Sequence, residues 1–216
     1  MPYCRTENVV RRLAAREQAI LTAALALAGE GGMEAVQIAA VASRANIAAG
    51  TVYRYFPSKN DLVGEVIATV SARELTAMRA AADTAPGPLS ALAAGIAAFA
   101  GRALAERKLA WAALAEPVDA AIDVLRLDFR RAIAAELAAR IEAARTRQLL
   151  PEQDVGAAAA AVVGAIVEGL IGPLAPQPAD PGAAREAVQA IMVMALRALG
   201  VMDARARGLV AQVALP

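Results

Sequence analysis

Two side chains that carry much of enzyme chemistry are scarce in this 216-residue sequence, which has no histidine and a single cysteine, Cys4. Without histidine there is no histidine metal ligand or general base, and one cysteine cannot form a disulfide within the chain. Most common hydrolases and metalloenzymes are thereby excluded, and no metal ion or cofactor is predicted. For Cys4, an incidental role, a link between two chains and a redox thiol all remain open.

Aromatic residues and net charge are also low, at 3% and +1, whereas hydrophobic residues make up 58% of the sequence. This balance excludes a disordered or polyanion-wrapping chain and predicts a globular protein with a large core. Alanine runs favour helix, because alanine has the highest helix propensity, and no strand is predicted. The first twelve residues carry charges and no apolar run, so no secretory signal is predicted and the cytoplasm is the expected location.

The segment from Gln37 to Leu62 is predicted to form two short helices and a turn, followed by a longer helix. Its first helix shows apolar residues at helical spacing, namely Ile38, Val41, Ala42 and Ala45. Asn46 follows, and asparagine tolerates the left-handed conformation that such a turn requires. The second helix is expected at about 49–55 and carries hydroxyls and an arginine. This order is typical of the helix-turn-helix that places its second helix in the DNA major groove.

The letters ANIAAGTVYRYFPSK at positions 45–59 resemble the signature of the tetracycline-repressor (TetR) family of bacterial transcription regulators. The resemblance covers about fifty residues, from Arg16 to roughly Val66. It implies an all-helical homodimer with a three-helix DNA-binding domain. It also implies a larger C-terminal domain that forms the dimer and binds a small-molecule inducer.

Within this resemblance, Thr51, Tyr53, Tyr55 and Lys59 correspond to residues that touch the DNA backbone, and Arg54 to one that lies against base edges. A bidentate contact from Arg54 to guanine would contribute about 1 to 3 kcal/mol of discrimination. The tyrosines have an alternative role as partly buried supports of the helix. The predicted DNA-contacting residues are Gln37, Arg44, Gly50, Thr51, Tyr53, Arg54, Tyr55 and Lys59.

The sequence departs from the family pattern at Ala39, Ala48 and Ala49, where many members have arginine, serine and a polar or basic residue. Alanine donates no hydrogen bond to a phosphate or a base, so either other residues carry the specificity or DNA binding is weak. One source is the N-terminal arm, whose first sixteen residues have four arginines and one glutamate. This arm is expected either to neutralise phosphates or enter the minor groove, or to be a solvated helix start.

We predict a DNA-binding domain at 1–57, a helical regulatory and dimerisation domain at 58–200, and a tail at 201–216 that forms a short helix or frays. The first helix is expected at about 10–28. A capping box from Ser58 to Asp61 opens the helix that links the two domains, at about 58–82. Further helices are expected at about 89–105, 108–115, 119–147, 152–174 and 182–199.

The apolar segment at 155–175 is long enough to span a bilayer, but its apolarity comes largely from alanine and it lacks basic or aromatic anchors. A packed helix is the preferred interpretation. Gly156, Ala160 and Gly164 form a stripe that allows another helix to approach closely, across a dimer interface or within one subunit. The predicted dimer interface, formed with the last long helix, comprises Gly156, Ala160, Gly164, Ile191, Met194 and Ala198.

Pocket residues are harder to identify, because large apolar side chains at helical spacing are usually core. The candidates combine apolar surface with a few charges, and they are Phe99, Trp111, Arg126, Phe129, Glu168 and Met192. The alternative for Arg126 is a surface ion pair with Asp123 or Asp128. Glu168, in so apolar a helix, is expected to be paired, to line a pocket or to be protonated.

The sequence therefore predicts a ligand-responsive, homodimeric transcription regulator, a repressor that binds a palindromic DNA operator and a small-molecule effector. The alternative is a dimeric small-molecule-binding protein of the same fold with weakened DNA binding. An enzyme is not predicted, because no catalytic constellation is found.

Overall fold

The computed structural model describes residues 7–117 and 119–215, and within these ranges all regular structure is helical. The predicted all-α fold is thus confirmed. Cys4 and Arg5 lie outside the described residues. The described residues form ten α-helices: α1 (Glu7–Gly31), α2 (Ile38–Arg44), α3 (Ala49–Tyr53), α4 (Lys59–Asp83), α5 (Pro88–Ala105), α6 (Arg107–Leu114), α7 (Ala120–Thr146), α8 (Val155–Ile166), α9 (Pro181–Ala198) and α10 (Asp203–Gln212).

Helices α1, α2 and α3 form the predicted helix-turn-helix unit around a small core that includes Ile20, Val41 and Val52, all inaccessible to solvent. The turn has the expected geometry, since Asn46 adopts a φ of 53°. The amide of Ile47 donates to the carbonyl of Ala42 at 2.9 Å, which closes the end of α2. Helix α3 ends at Tyr53, two residues earlier than expected.

Helix α4 joins this unit to the body of the protein. It begins with the predicted capping box, in which the amide of Asp61 donates to Ser58 Oγ at 3.1 Å and the amide of Ser58 donates to Asp61 Oδ2 at 2.9 Å. Its buried face packs mainly against α5 and α7, and its contacts also reach α1. One continuous helix therefore contacts both parts of the chain.

The body is a bundle built around α5. Among the described residues, α5 is long and apolar enough to cross a membrane by length and composition alone, but more than half of it is buried within the bundle, as in a core helix. Beside it, the buried carboxylate of Glu74 on α4 accepts hydrogen bonds from Arg102 at 2.8 and 3.0 Å and from Arg73 at 2.9 Å. This network joins α4 to α5.

Helix α8 is shorter than the predicted 152–174 segment. Asp154 caps its start by accepting from the amide of Ala157 at 2.9 Å, and after Ile166 the chain passes into a π-helical turn, Val167–Ile171. In this turn Gly169 allows α9 to approach closely, because a Cβ there would stand 2.6 Å from Ile191 Cδ1. The segment after residue 200, for which a short helix or fraying was expected, forms α10 with Ala206 and Val210 buried.

Helix α6 forms a second connection between the body and the helix-turn-helix unit. Lys108 Nζ donates to the carbonyl of Glu30 at 3.0 Å, and Glu116, just beyond α6, accepts from the amide of Met33 at 2.9 Å. At the other side, Arg107 donates to four backbone carbonyls between Ile171 and Pro176, at 2.9 to 3.3 Å. The end of α1 and the α8–α9 connection are therefore fixed to the same short helix.

Candidate nucleic-acid interface

The outer surface of α3 carries the residues predicted to read DNA. Val52 is inaccessible and anchors the helix to the core, whereas Tyr53 is 51% exposed and Arg54 is exposed at the C-terminal end. The guanidinium of Arg54 has no hydrogen-bond or ion-pair partner among the described residues. It is therefore available for a contact outside the chain.

Tyr55 and Lys59 occupy less exposed positions at the edge of this surface. The ring of Tyr55 is half-buried against the core, which agrees with the supporting role considered for it. Lys59 is the first residue of α4 and is also half-buried. Its position depends on the capping box that fixes the start of this helix.

Removing this cap tests how much it contributes to the stability of the fold. Ser58→Ala is expected to lower the free energy of unfolding by about 1 kcal/mol, because the amide of Asp61 loses its side-chain acceptor. The measurement is urea-induced unfolding followed by circular dichroism. Ser43→Ala, at an exposed position of α2, is the control and should be neutral or slightly stabilising, since alanine is the better helix former. Equal stability of the two variants would contradict the prediction.

Two predicted DNA contacts, Gln37 and Arg44, have partners within the chain. Gln37 Nε2 donates to the carbonyl of Glu34 at 2.8 Å. Arg44 forms a bidentate pair with Glu30, with N–O distances of 2.6 and 2.7 Å. These hydrogen bonds lower the pKa of Glu30 and raise that of Arg44. A phosphate would have to compete with Glu30 for this arginine.

The N-terminal side of α3 has few polar side chains. Ala48 is its N-cap and provides no side-chain hydrogen bond, and Ala48, Ala49 and Gly50 are all exposed. Apart from the neighbouring residues and the backbone of its own helix, no described atom lies within 4 Å of where a Cβ of Gly50 would stand. This end of the helix can approach another molecule closely through its backbone, while Thr51 is half-buried beside it.

The stripe on α8 is exposed. Gly156, Ala160 and Gly164 all face solvent. No neighbouring group lies within 4 Å of a Cβ built at Gly164, and Asp154 Oδ1 at 3.4 Å is the single neighbour at Gly156. Among the described residues, the two glycines therefore do not accommodate another helix of the same subunit. This observation argues against the alternative interpretation of the stripe as packing within one subunit.

On α9, Met194 is 42% exposed and Ala198 is also exposed, and both line a groove that α9 forms with Arg207 and Val210 of α10. Ile191 differs from the other predicted interface residues. It is half-buried and packs against Gly169 within the subunit.

The candidate pocket residues are mostly core. Phe99 and Phe129, 1% and 3% exposed, line the same cavity, but its volume of about 10 Å³ holds at most one water molecule. Met192 is inaccessible, and Trp111 is half-buried against the core. Glu168 is exposed on the π turn, so it requires no buried partner.

Arg126 is buried rather than part of a surface pair. It forms the expected ion pair with Asp123 at 3.3 Å, but the side chain is 2% exposed and donates twice to the carbonyl of Ala112, at 3.0 and 2.8 Å. Burial lowers its pKa from the usual value, although Asp123 opposes this shift. Asp128, the other partner considered, pairs with Arg131 instead.

Comparison with known proteins shows that the helix-turn-helix unit is similar to one family. Residues 20–66 match the family described as bacterial regulatory proteins, tetR family. The transcriptional repressor KstR of Rhodococcus jostii is 58% identical over 53 residues, which are 24% of this chain and 25% of the repressor. The matched segment therefore spans about a quarter of that protein.

Solved structures have a similar fold over 81% to 96% of the chain. RolR in complex with resorcinol has a TM-score of 0.65 at 19% identity and covers 96% of this chain and 98% of its own. FadR of Bacillus subtilis in complex with stearoyl-CoA has a TM-score of 0.69 at 17% identity and covers 81% of this chain and 96% of its own. Residues 20–66 are thus similar to the tetR family of bacterial regulatory proteins, and the all-helical fold of the chain is similar to those of RolR and FadR.

Proposed function

We propose that the protein is a ligand-responsive transcriptional repressor that binds a palindromic operator as a homodimer. The observation that carries this proposal is the helix-turn-helix unit, which exposes Tyr53 and the unpartnered Arg54 on α3. Helix α3, the recognition helix, enters a major groove, and two copies of the chain related by two-fold symmetry read the two half-sites. The similarity to KstR repressors supports this role and a cytoplasmic location.

Dimerisation occurs through α8 and α9. The exposed Gly156, Ala160 and Gly164 allow a second copy to approach closely, which would offset the roughly 1 kcal/mol that each glycine costs in a helix. An isologous contact of these helices forms a four-helix bundle about a two-fold axis. In the division that we propose, residues 1–57 bind DNA and 58–200 form the regulatory and dimerisation domain.

A small molecule regulates DNA binding by a shift of population. The effector must bind the arrangement that releases DNA more tightly than the arrangement that holds it. RolR with resorcinol and FadR with stearoyl-CoA support a small-molecule effector for this fold. The cavity beside Phe99 and Phe129 is nearly closed, so an effector there has to displace core side chains and thereby move α4 or α6.

The experiment that tests DNA reading is a titration of the DNA upstream of the protein's own gene, and of a duplex of random sequence, with wild type and Arg54→Ala. We expect the variant to bind the upstream DNA more weakly by about 1 to 3 kcal/mol, or roughly 5- to 150-fold, because a base contact is lost. Its affinity for random DNA should change much less.

Arg147→Ala removes the same charge from an exposed position at the end of α7 and serves as the matched control, with wild-type binding expected. The proposed function would be contradicted if wild-type protein bound neither the upstream DNA nor other fragments of the genome more tightly than the random duplex. Such a result would favour a small-molecule-binding protein with weakened DNA contacts, for which the exposed Ala48 and Ala49 are the supporting observation.

A further inference from the structure

The first half of α1 extends beyond the hydrophobic core. The earliest buried side chain of this helix is Ile20, whereas each described side chain from Val9 to Ala19 is exposed or half-buried. An isolated helix of about thirteen residues is marginal in water. These first turns are helical because they continue the half of α1 that is anchored in the core. They place no side chain in the core themselves, so their surface is open to another molecule.

One face of this extension borders a groove beside the helix-turn-helix. The groove has a volume of about 610 Å³ and lies between α1, which contributes Arg12 and Arg16, and the opposite wall formed by Asn46, Ile47 and Tyr55. Both arginines therefore lie on the side of α1 that faces the turn and the end of the recognition helix. We refer to this feature as the α1 groove.

The charge of the α1 groove has one sign. Arg12 and Arg16 are exposed, neither has a hydrogen-bond or ion-pair partner among the described residues, and no carboxylate lines the groove. They are one helical turn apart, with a rise of about 6 Å between them. By contrast, Arg44 on the neighbouring helix is neutralised by Glu30. Two free cations beside the apolar surface of Ile47 and Tyr55 suit a polyanion that also has apolar surface.

We propose that the α1 groove binds the sugar–phosphate backbone of the DNA that α3 reads. Arg12 and Arg16 contact phosphates, and the apolar floor, including Ile47 and the ring of Tyr55, packs against deoxyribose. The backbone flanks the major groove in which a recognition helix lies, and an element beside that helix meets phosphates rather than base edges. This inference rests on the proposed DNA-binding function and deepens it. It assigns affinity to α1 and leaves sequence reading to α3.

The test is DNA binding by Arg12→Ala/Arg16→Ala over a range of salt concentrations, with the upstream DNA and the random duplex as probes. We expect the affinity for both probes to fall by the same factor, roughly tenfold or more at about 0.1 M salt, because phosphate contacts carry no sequence information. The slope of log affinity against log salt should become shallower by about 2 per protomer. Arginine and alanine are both good helix formers, so α1 should remain helical.

Two controls separate charge at this groove from charge in general. Arg147→Ala/Arg205→Ala removes the same charge from exposed positions of the body, and wild-type binding is expected. Arg147 is distant from the helix-turn-helix unit. Leu125 of α7 lies beside Gly64, near the start of α4, and Arg147 follows about 33 Å farther along the axis of α7. Arg12→Lys/Arg16→Lys keeps the charge and should retain most of the affinity and the salt slope. A circular dichroism spectrum and melting temperature like those of wild type verify that each variant is folded.

The outcomes separate this inference from the proposed function. If the Arg12/Arg16 alanine variant binds both probes with wild-type affinity and slope while Arg54→Ala is impaired, the protein reads DNA and the α1 groove does not hold the backbone. A loss confined to the upstream DNA would also overturn the inference, since it would make the arginines base readers. If wild type binds no DNA at any salt concentration, the proposed function fails and the inference fails with it.

Discussion

Replacing Ala160 with arginine is expected to convert the proposed dimer to a monomer and to weaken binding of the proposed operator by roughly 10²- to 10⁴-fold. Ala160 lies at the centre of the exposed α8 stripe, between Gly156 and Gly164. A long cationic side chain there prevents close helix approach and places two like charges near the two-fold axis. Without the dimer, each half-site is bound independently and the gain from linked binding is lost.

Sedimentation velocity measures the change of mass, and the DNA titration measures the change of affinity. Ala139→Arg, on an exposed face of α7, carries the same substitution and should leave both unchanged. A variant at position 160 that remains dimeric at micromolar concentration and binds DNA like wild type would show that the interface lies elsewhere.

Phe99→Ala is expected to lower the free energy of unfolding by about 3 to 5 kcal/mol. Phe99 of α5 is 1% exposed and lines the small cavity between α4, α5 and α7, together with Val70 and Phe129. Its truncation leaves a void that the surrounding helices cannot fill completely. For a chain of this length the melting temperature should fall by roughly 10 °C. A side chain at the wall of an open pocket would cost much less.

Thermal and urea unfolding of the variant give both quantities. Val124→Ala, at a 57% exposed position of α7, is the control, and a change within about 0.5 kcal/mol is expected. If Phe99→Ala unfolds like this control, Phe99 is not part of the core, and the closed cavity beside it is a pocket that opens readily.

Local signals in the sequence predicted the parts of the fold that depend on neighbouring residues. Asn46 indicated the left-handed turn, and Ser58 with Asp61 indicated the start of α4. The start of α9 is set locally as well, since Asp180 Oδ1 accepts from the amide of Ala183 at 2.8 Å. Each of these features is set within about four residues, so one sequence is sufficient to identify it.

The features that sequence reasoning missed depend on how distant helices dock. The Glu30–Arg44 pair joins α1 to α2, and the burial of Arg126 depends on the carbonyl of Ala112 on α6. No spacing rule along the chain identifies either contact. The exposure of Glu168 was missed for a related reason. The many alanines make every side of α8 apolar, so its sequence pattern did not show which face is turned to the core.

The contacts of Lys108 and Glu116 with the end of α1 have a consequence for how such a chain can diversify. The helix-turn-helix is not a detachable module, because the backbone of Glu30 and Met33 is bonded to the segment around α6 as well as being continuous with α4. Recombination that joined residues 1–57 to a foreign body would replace α4 and lose both bonds. A body exchanged for a new effector specificity therefore keeps these two bonds only if α6 and the end of α1 are exchanged together.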